Sequence, residues 1–355
     1  MGPGPVNGAL RIAPDALRYR ALIGVGGIGS GSFFAIAGNA TLSREESRGG
    51  RFLDQRDYCK LHIIAHYVQT LLGPPFVTLP VGMVGDDDTG RRLCAGMAEA
   101  GMDMRHVARV PGEQTLFSFC FVYPDGSGGN LTTSDSACGR VDAALVARAE
   151  GDFRAHRGGI ALAAPEVPLE ARAELLRLAT AHGFLRAASF TAGEMGPAVE
   201  RGMLRQVDLL AINRSEAAAA ADLGPESPLE EIVARAVARL RQENPAMRVS
   251  ITAGAGGSWL FDADRVWRQP AWPAHVRNTA GAGDAHLAGL LVGLAAGLGC
   301  EEAHQLAGLV AAVSVESVHT IHPDLGREAL ARFAREHGVV LSAGVRELLA
   351  GGPTS

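Results

Sequence analysis

The hydrophobic period changes repeatedly along the chain, and those changes predict its elements. Ala21 to Val25 is a short apolar run, as expected of a buried strand. The stretch SFFAIAGNATL that follows combines aromatic and β-branched residues with a Gly-Asn pair, which predicts a strand and a turn. From Asp57 the period lengthens: Leu61, Ile64, Ala65, Val68, Leu71 and Leu72 recur at helical spacing, and Gly73 closes the run. PFVTLPVGMVG (75–85) predicts a strand and DDDTGRRLCAGMAEAGMD an amphipathic helix. Leu116 to Tyr123 and Asn130 to Thr133 bracket the turn cluster PDGSGG and predict a hairpin.

Beyond residue 140 helices and strands alternate regularly. Helices are predicted at VDAALVARAEGDF, PLEARAELLRLATAHG, near GPAVERGMLRQ and at SPLEEIVARAVARLRQ. Between them lie predicted strands at 159–165, FLRAASF, 208–213 and 248–254. Such alternation implies an α/β fold with a mostly parallel sheet covered by helices on both faces. The strand-rich first 140 residues add a small β layer. Residues 1–18 are expected to form a flexible tail and 19–355 a single domain.

Composition narrows the function classes. The 355 residues are 47% apolar and 20% charged, as in an ordinary globular protein, and the net charge of −5 provides no field for nucleic acid or an anionic membrane. The five cysteines are scattered, without C-x-x-C or zinc spacing, which fits a reduced, cytoplasmic compartment. No signal peptide is expected, and the apolar run Leu287 to Cys300 is too short to span a bilayer.

Gly24-Val-Gly-Gly-Ile-Gly29 matches the dinucleotide-binding G-x-G-x-x-G, but that turn must run directly into a helix. Here a strand is expected, and the acidic residue required further on would be Glu45 or Glu46, in a charged loop. A nicotinamide-dependent dehydrogenase therefore requires a helix after Gly29 that the pattern does not predict.

Asn278-Thr-Ala-Gly-Ala-Gly-Asp284-Ala-His286 is more informative, because a Gly-rich turn feeds directly into an apolar helix. Amides of Gly281, Ala282 and Gly283 at such a helix start form a ready anion site. By local physics alone Asp284 reads first as an N-cap or first-turn residue, which stabilises the helix by about 0.5–2 kcal/mol.

This turn resembles the D-T-x-G-A-G-D-x-F signature of the ribokinase-like (phosphofructokinase B-type) carbohydrate kinases. Asn213-Arg-Ser-Glu216 resembles the family's N-x-x-E, and Thr252, Gly254 and Gly257 its T-x-G-x-x-G, in the family's order. VGMVGDDDTG is similar to a further family segment, and the resemblance runs from about residue 20 to about residue 335.

The resemblance implies a ribokinase-like fold with a small β-sheet lid, its strands within 30–53 and 114–135. It implies ATP-dependent phosphoryl transfer to a sugar or sugar-like hydroxyl, with Asp284 as base and the Gly281–Gly283 turn as anion hole. Asn213 and Glu216 would organise Mg²⁺, with Glu216 holding it through water, although Glu216 also reads as a solvated first-turn residue. Thr252, Gly254, Gly257, Asn278 and Thr279 would border the nucleotide.

Asn278 stands where the family usually has Asp, which leaves dependence on K⁺ open. His286 replaces the usual Phe and reads as packing, and His319 and His322 read as an adenine-pocket wall or a turn. The family's acceptor segment is replaced by RFLDQRDYCKLHIIAHY. Ser30, Ser32, Asp57 and Lys60 are candidate substrate contacts, while Arg56, Asp57, Lys60 and His62 read equally as a solvated helix start. With Arg44, Glu45, Glu46 and Arg48 nearby, the expected acceptor is polar or anionic. A nucleoside kinase and a catalytically weak metabolite sensor are the alternatives. The family's habit of pairing through the β layer makes a homodimer the expected assembly.

Overall fold

The computed structural model describes residues 8–124, 128–263 and 265–350. The chain begins with β1 (Ala21–Val25), β2 (Gly29–Ile36) and β3 (Gly50–Tyr58), followed by α1 (Lys60–Leu72), β4 (Val77–Gly85) and α2 (Asp88–Glu99). β5 (Val107–Val110), β6 (Leu116–Val122) and β7 (Gly128–Thr132) precede α3 (Ala143–Ala147), α4 (Glu150–Ala155) and β8 (Ile160–Ala163). The alternating half contains α5 (Leu169–Ala181), β9 (Leu185–Ala188), α6 (Ala192–Glu200), β10 (Leu209–Asn213), α7 (Arg214–Ala221) and α8 (Leu229–Glu243). β11 (Arg248–Thr252), β12 (Ser258–Asp262) and β13 (Arg265–Gln269) then lead to α9 (Ala282–Ala295), α10 (Cys300–Ser314), α11 (Arg327–Glu336) and α12 (Ala343–Ala350).

Nine strands form one sheet in the order β13-β12-β11-β10-β9-β8-β1-β4-β5. It is parallel from β11 to β5, and β12 and β13 add an antiparallel edge. The period-2 pattern sorts side chains between two cores. Leu22, Ile160 and Leu162 pack on one face with α1, α9 and α10, while Ile23, Val25, Ala161 and Ala163 pack on the other with α5 and α8. Both faces are covered, so β1 is buried along its whole length.

A separate four-stranded sheet has the order β3-β2-β6-β7, with β2 and β6 parallel and the outer pairs antiparallel. β2 starts at Gly29 itself, so no helix follows the G-x-G-x-x-G. A side chain at Gly26 would meet Ala164 Cβ at 2.7 Å and Leu61 Cβ at 2.9 Å. That glycine admits α1 close to the sheet, and the dinucleotide reading is removed.

Two expectations need correction. Leu10 and Leu17 are buried in the core, and the Leu10 amide donates to Leu71 O at 2.8 Å. Residues 8–18 are therefore packed rather than a loose tail, while residues 1–7 lie outside the described residues. The helix expected from Asp57 starts at Lys60, because β3 continues to Tyr58 and carries Arg56 and Asp57.

Candidate active site

Three helix N-termini, those of α1, α7 and α9, bring Lys60, Glu216 and Asp284 to a cleft of about 980 Å³. The cleft lies at the C-terminal ends of β10 and β11, where parallel sheets characteristically take ligands. Asn213, Thr252, Gly254, Gly257, Thr279, Gly281, Ala282 and Gly283 also line it, so most of the residues chosen for the nucleotide end converge. Asn278 stands beside it in the strap leading to α9.

Local chemistry explains each placement. Asn213 caps α7: its Oδ1 accepts from the Glu216 amide at 2.9 Å, while Glu216 Oε2 accepts from the Asn213 amide at 2.8 Å. The N-x-x-E spacing is thus a capping box. Glu216 is nevertheless buried rather than solvated, and its other oxygen, Oε1, takes the Lys60 ammonium at 2.9 Å. Lys60 is raised above the usual lysine value: burial works against its charge, and Asp284 and then Glu216 outweigh that effect.

Gly281 is the N-cap of α9 at φ 79°, a left-handed conformation that suits glycine, and its carbonyl accepts from Ala285 at 2.8 Å. The Ala282 amide donates to Thr279 O at 3.2 Å. Of the three amides expected to face an anion, Ala282's is therefore engaged, whereas helix geometry leaves Gly283's without an intrahelical acceptor. Asp284, half-buried in the first turn, is pushed up to about 6 by burial, with Lys60 opposing and Glu216 and Asp57 reinforcing. Asn278 spans two segments: its Nδ2 donates to Val318 O at 2.9 Å, and its Oδ1 accepts from Ala280 at 3.0 Å.

The acceptor end departs from expectation. Asp57 is buried on β3, accepts from the Cys120 thiol at 3.4 Å, and is raised by burial. Its register partner is Gly31, which also pairs with Ser118. Ser30 and Ser32 pair with Phe117 and Phe119, on the opposite face of the small sheet. They do not join Asp57, and as substrate contacts they are withdrawn.

Arg48 pairs with Glu46 away from the cleft, and the Arg56 amide donates to His319 Nδ1 at 3.0 Å. Of the charged residues from which a polar or anionic acceptor is expected, Lys60 lines the cleft, and Arg48 and Arg56 do not. His62 and His286 are buried and held far below the usual histidine value, each to about 3, by burial and then by His66 and His304 respectively. His322 Nδ1 accepts from the Asp324 amide at 3.1 Å, a turn contact.

Glu166, which follows β8, escaped the sequence reading. It sits at φ 74°, lies against Gly27, and has a buried Oε2 without a hydrogen-bond partner. Its carboxyl is raised to about 7 by burial, followed by opposing contact with Cys59 and reinforcement from Asp284. No local sequence signal marks it: its place follows from the sheet order, with β9 between β8 and β10.

A glycine-rich helix start at the C-terminal ends of parallel strands is an arrangement in which α/β enzymes hold anionic ligands. The match to the pfkB family carbohydrate kinase model over residues 64–325 places this chain in that family. It is 37% identical over 103 residues to the uncharacterized sugar kinase YegV of Escherichia coli, covering 29% of this chain and 31% of that protein. Among solved structures, a ribokinase from Cryptococcus neoformans in complex with ADP superposes with a TM-score of 0.74 at 17% identity, over 89% of this chain and 99% of that one. Arabidopsis thaliana ribokinase with ribose and ATP gives 0.65 at 18%, over 88% and 98%. Adenosine kinase from Sinorhizobium meliloti gives 0.68 at 20%, over 90% and 99%. These structural likenesses establish the shared ribokinase-like fold.

Proposed function

We propose that this chain transfers the terminal phosphoryl group of ATP to a hydroxyl of a small, uncharged, sugar-like acceptor. The observation that carries the proposal is Asp284, raised to about 6 at the helix start where three helix N-termini meet. Ionised at neutral pH, it takes the proton of the attacking hydroxyl. The Gly283 amide and the α9 N-terminus face the transferring oxygens, and Thr252, Gly254, Gly257 and Thr279 border the nucleotide.

Glu216 Oε1 already holds a cation, so its environment suits a metal ion. Among the described residues no group of three or more His, Cys, Asp or Glu side chains could hold one, which fits a Mg²⁺ that keeps its waters on one carboxylate. When bound, Mg²⁺ supplies charge neutralisation at the phosphates.

The acceptor assignment follows from charge. Glu166 and Asp284 act on one ammonium, which Glu216 already engages, and Asp57 adds its negative field at Asp284. Neutral hydroxyls suit such a site, and a sugar acid or sugar phosphate does not.

ADP release from Mg-ATP, measured against neutral sugars, polyols, nucleosides, sugar acids and sugar phosphates, tests both statements. Turnover with a neutral acceptor, lost in Asp284→Asn, is the expected result. Turnover restricted to an anionic acceptor overturns the charge argument. Silence across the panel with Mg-ATP bound favours a sensor.

A further inference from the structure

Lys60 is the first residue of α1, where its positive charge meets the positive end of the helix dipole. Cys59, at the cap, supplies no side-chain hydrogen bond to offset it. A stability argument would place an acidic or hydroxyl residue there. The ammonium instead reaches from the acceptor side of the molecule to the nucleotide side, ending 2.9 Å from Glu216 Oε1 with its side chain 23% exposed.

Only one oxygen of Glu216 lies outside the capping box. Oε2 is committed to the Asn213 amide at 2.8 Å, and Oε1 carries Lys60. A metal ion at Glu216 and the ammonium on Oε1 would be two positive charges at one carboxylate, so each disfavours the other there. The other cation lining the cleft, Arg214, donates to Ser227 O at 3.1 Å and turns away. Lys60 lines the same cleft as Asp284, and the charges of Asp284 and Glu166 act on it.

We propose that Lys60 is a catalytic residue with two partners, Glu216 before the metal-nucleotide binds and the transferring phosphoryl oxygens afterwards. The inference rests on the kinase reading and adds an internal cation whose release is coupled to metal entry. Its flexible four-carbon stem and three rotatable donors allow the change of partner. No proton leaves it: the acceptor proton goes to Asp284, the new O–P bond forms, and the bond to the ADP oxygen breaks. Lys60 remains an ammonium and offsets the charge on the three equatorial oxygens.

The test compares Lys60→Met, Lys60→Gln and Lys60→Arg with wild type, each checked for native melting by circular dichroism. Mn²⁺ binding in the presence of ADP is read by electron paramagnetic resonance, without turnover. With the competitor removed, Met and Gln variants should bind Mn²⁺ roughly tenfold more tightly. Their kcat should fall by about a hundred- to a thousand-fold, with acceptor KM little changed. Arg should restore wild-type Mn²⁺ affinity and part of kcat. Unchanged or weaker Mn²⁺ binding in a folded Met or Gln variant overturns the competition. Wild-type kcat overturns the phosphoryl contact. A wild type that never releases ADP would instead sink the kinase reading, while the Mn²⁺ comparison still decides the competition at Glu216.

Discussion

The cleft and the Asp57–Glu166 region beside Asp284 are built on different principles. At the nucleotide end each functional group is placed by its immediate sequence: Asn213 and Glu216 cap one helix, and Gly281 starts another. At the acceptor end the groups come from distant segments. Asp57 meets Cys120 across the small sheet, and Glu166 reaches the site from the end of β8. Local hydrogen bonding can hold the first end, whereas the second depends on two sheets meeting correctly. Changes at the nucleotide end should therefore alter chemistry with the fold intact, and changes at the acceptor end should alter chemistry and stability together.

The largest effect expected is at Asp284. Asp284→Asn should lower kcat by about a hundred- to ten-thousand-fold in the ADP-release assay, with Mg-ATP affinity largely kept. Its folded pKa of about 6 lies above the ordinary aspartate value, so the native state binds more protons than the unfolded state between the two. Stability from this group rises as pH falls through that window, and its carboxylate is a burden at neutral pH. Asn should therefore raise Tm at pH 7.5. A variant that loses both activity and stability would erase the contrast between the two ends.

Next in size is the pH profile. Proton abstraction needs ionised Asp284, so kcat should fall as pH drops through about 6. A flat profile from pH 8 to 5, with chemistry limiting, would remove Asp284 as base.

A further expectation concerns the outer face of the small sheet, where Phe34, Phe52 and Phe119 cluster with centroids 5.1–6.2 Å apart. Phe52 is 65% and Leu131 63% exposed, which suits the homodimer expected from the family resemblance. Phe52→Ser should shift sedimentation toward monomer with a cost of about 2 kcal/mol. A monomeric wild type would set that pairing aside.

The smallest effect is expected at Asn278. Its amide donates to Val318 O, a contact a carboxylate cannot make. Replacing K⁺ by tetramethylammonium should leave wild-type turnover unchanged, while Asn278→Asp should lose a few-fold in kcat as that donor disappears. Strong K⁺ activation of the wild type would contradict this.

The same contrast explains what the sequence disclosed. Most parallel strands, most major helices and the Gly-rich turn were legible because period and capping are local signals. β12 and β13 went unread: SWLFD is a short apolar run, and RVWRQ, on the sheet edge, lacks a consistent buried face. Residues 8–18 show no helix or strand period, yet Leu10 and Leu17 anchor them in the core. Nearness to β1 points to Ser30 and Ser32, but only the register of β2 decides their face. Glu166 required knowing which strand ends meet, which no local pattern states.

The parallel pairing of β2 with β6 also bears on how the molecule assembles. Between those strands the chain builds β3, α1, β4, α2 and β5, and α1, β4 and β5 belong to the main body. Loop closure across that span is entropically costly, and little is gained until the main sheet has gathered its ends. Amide exchange in β6 and β7 should accordingly be faster than in β1 and β8, as in a cooperative unit of lower stability. The layer bearing Asp57 is then the last part of the fold to form and the first to open.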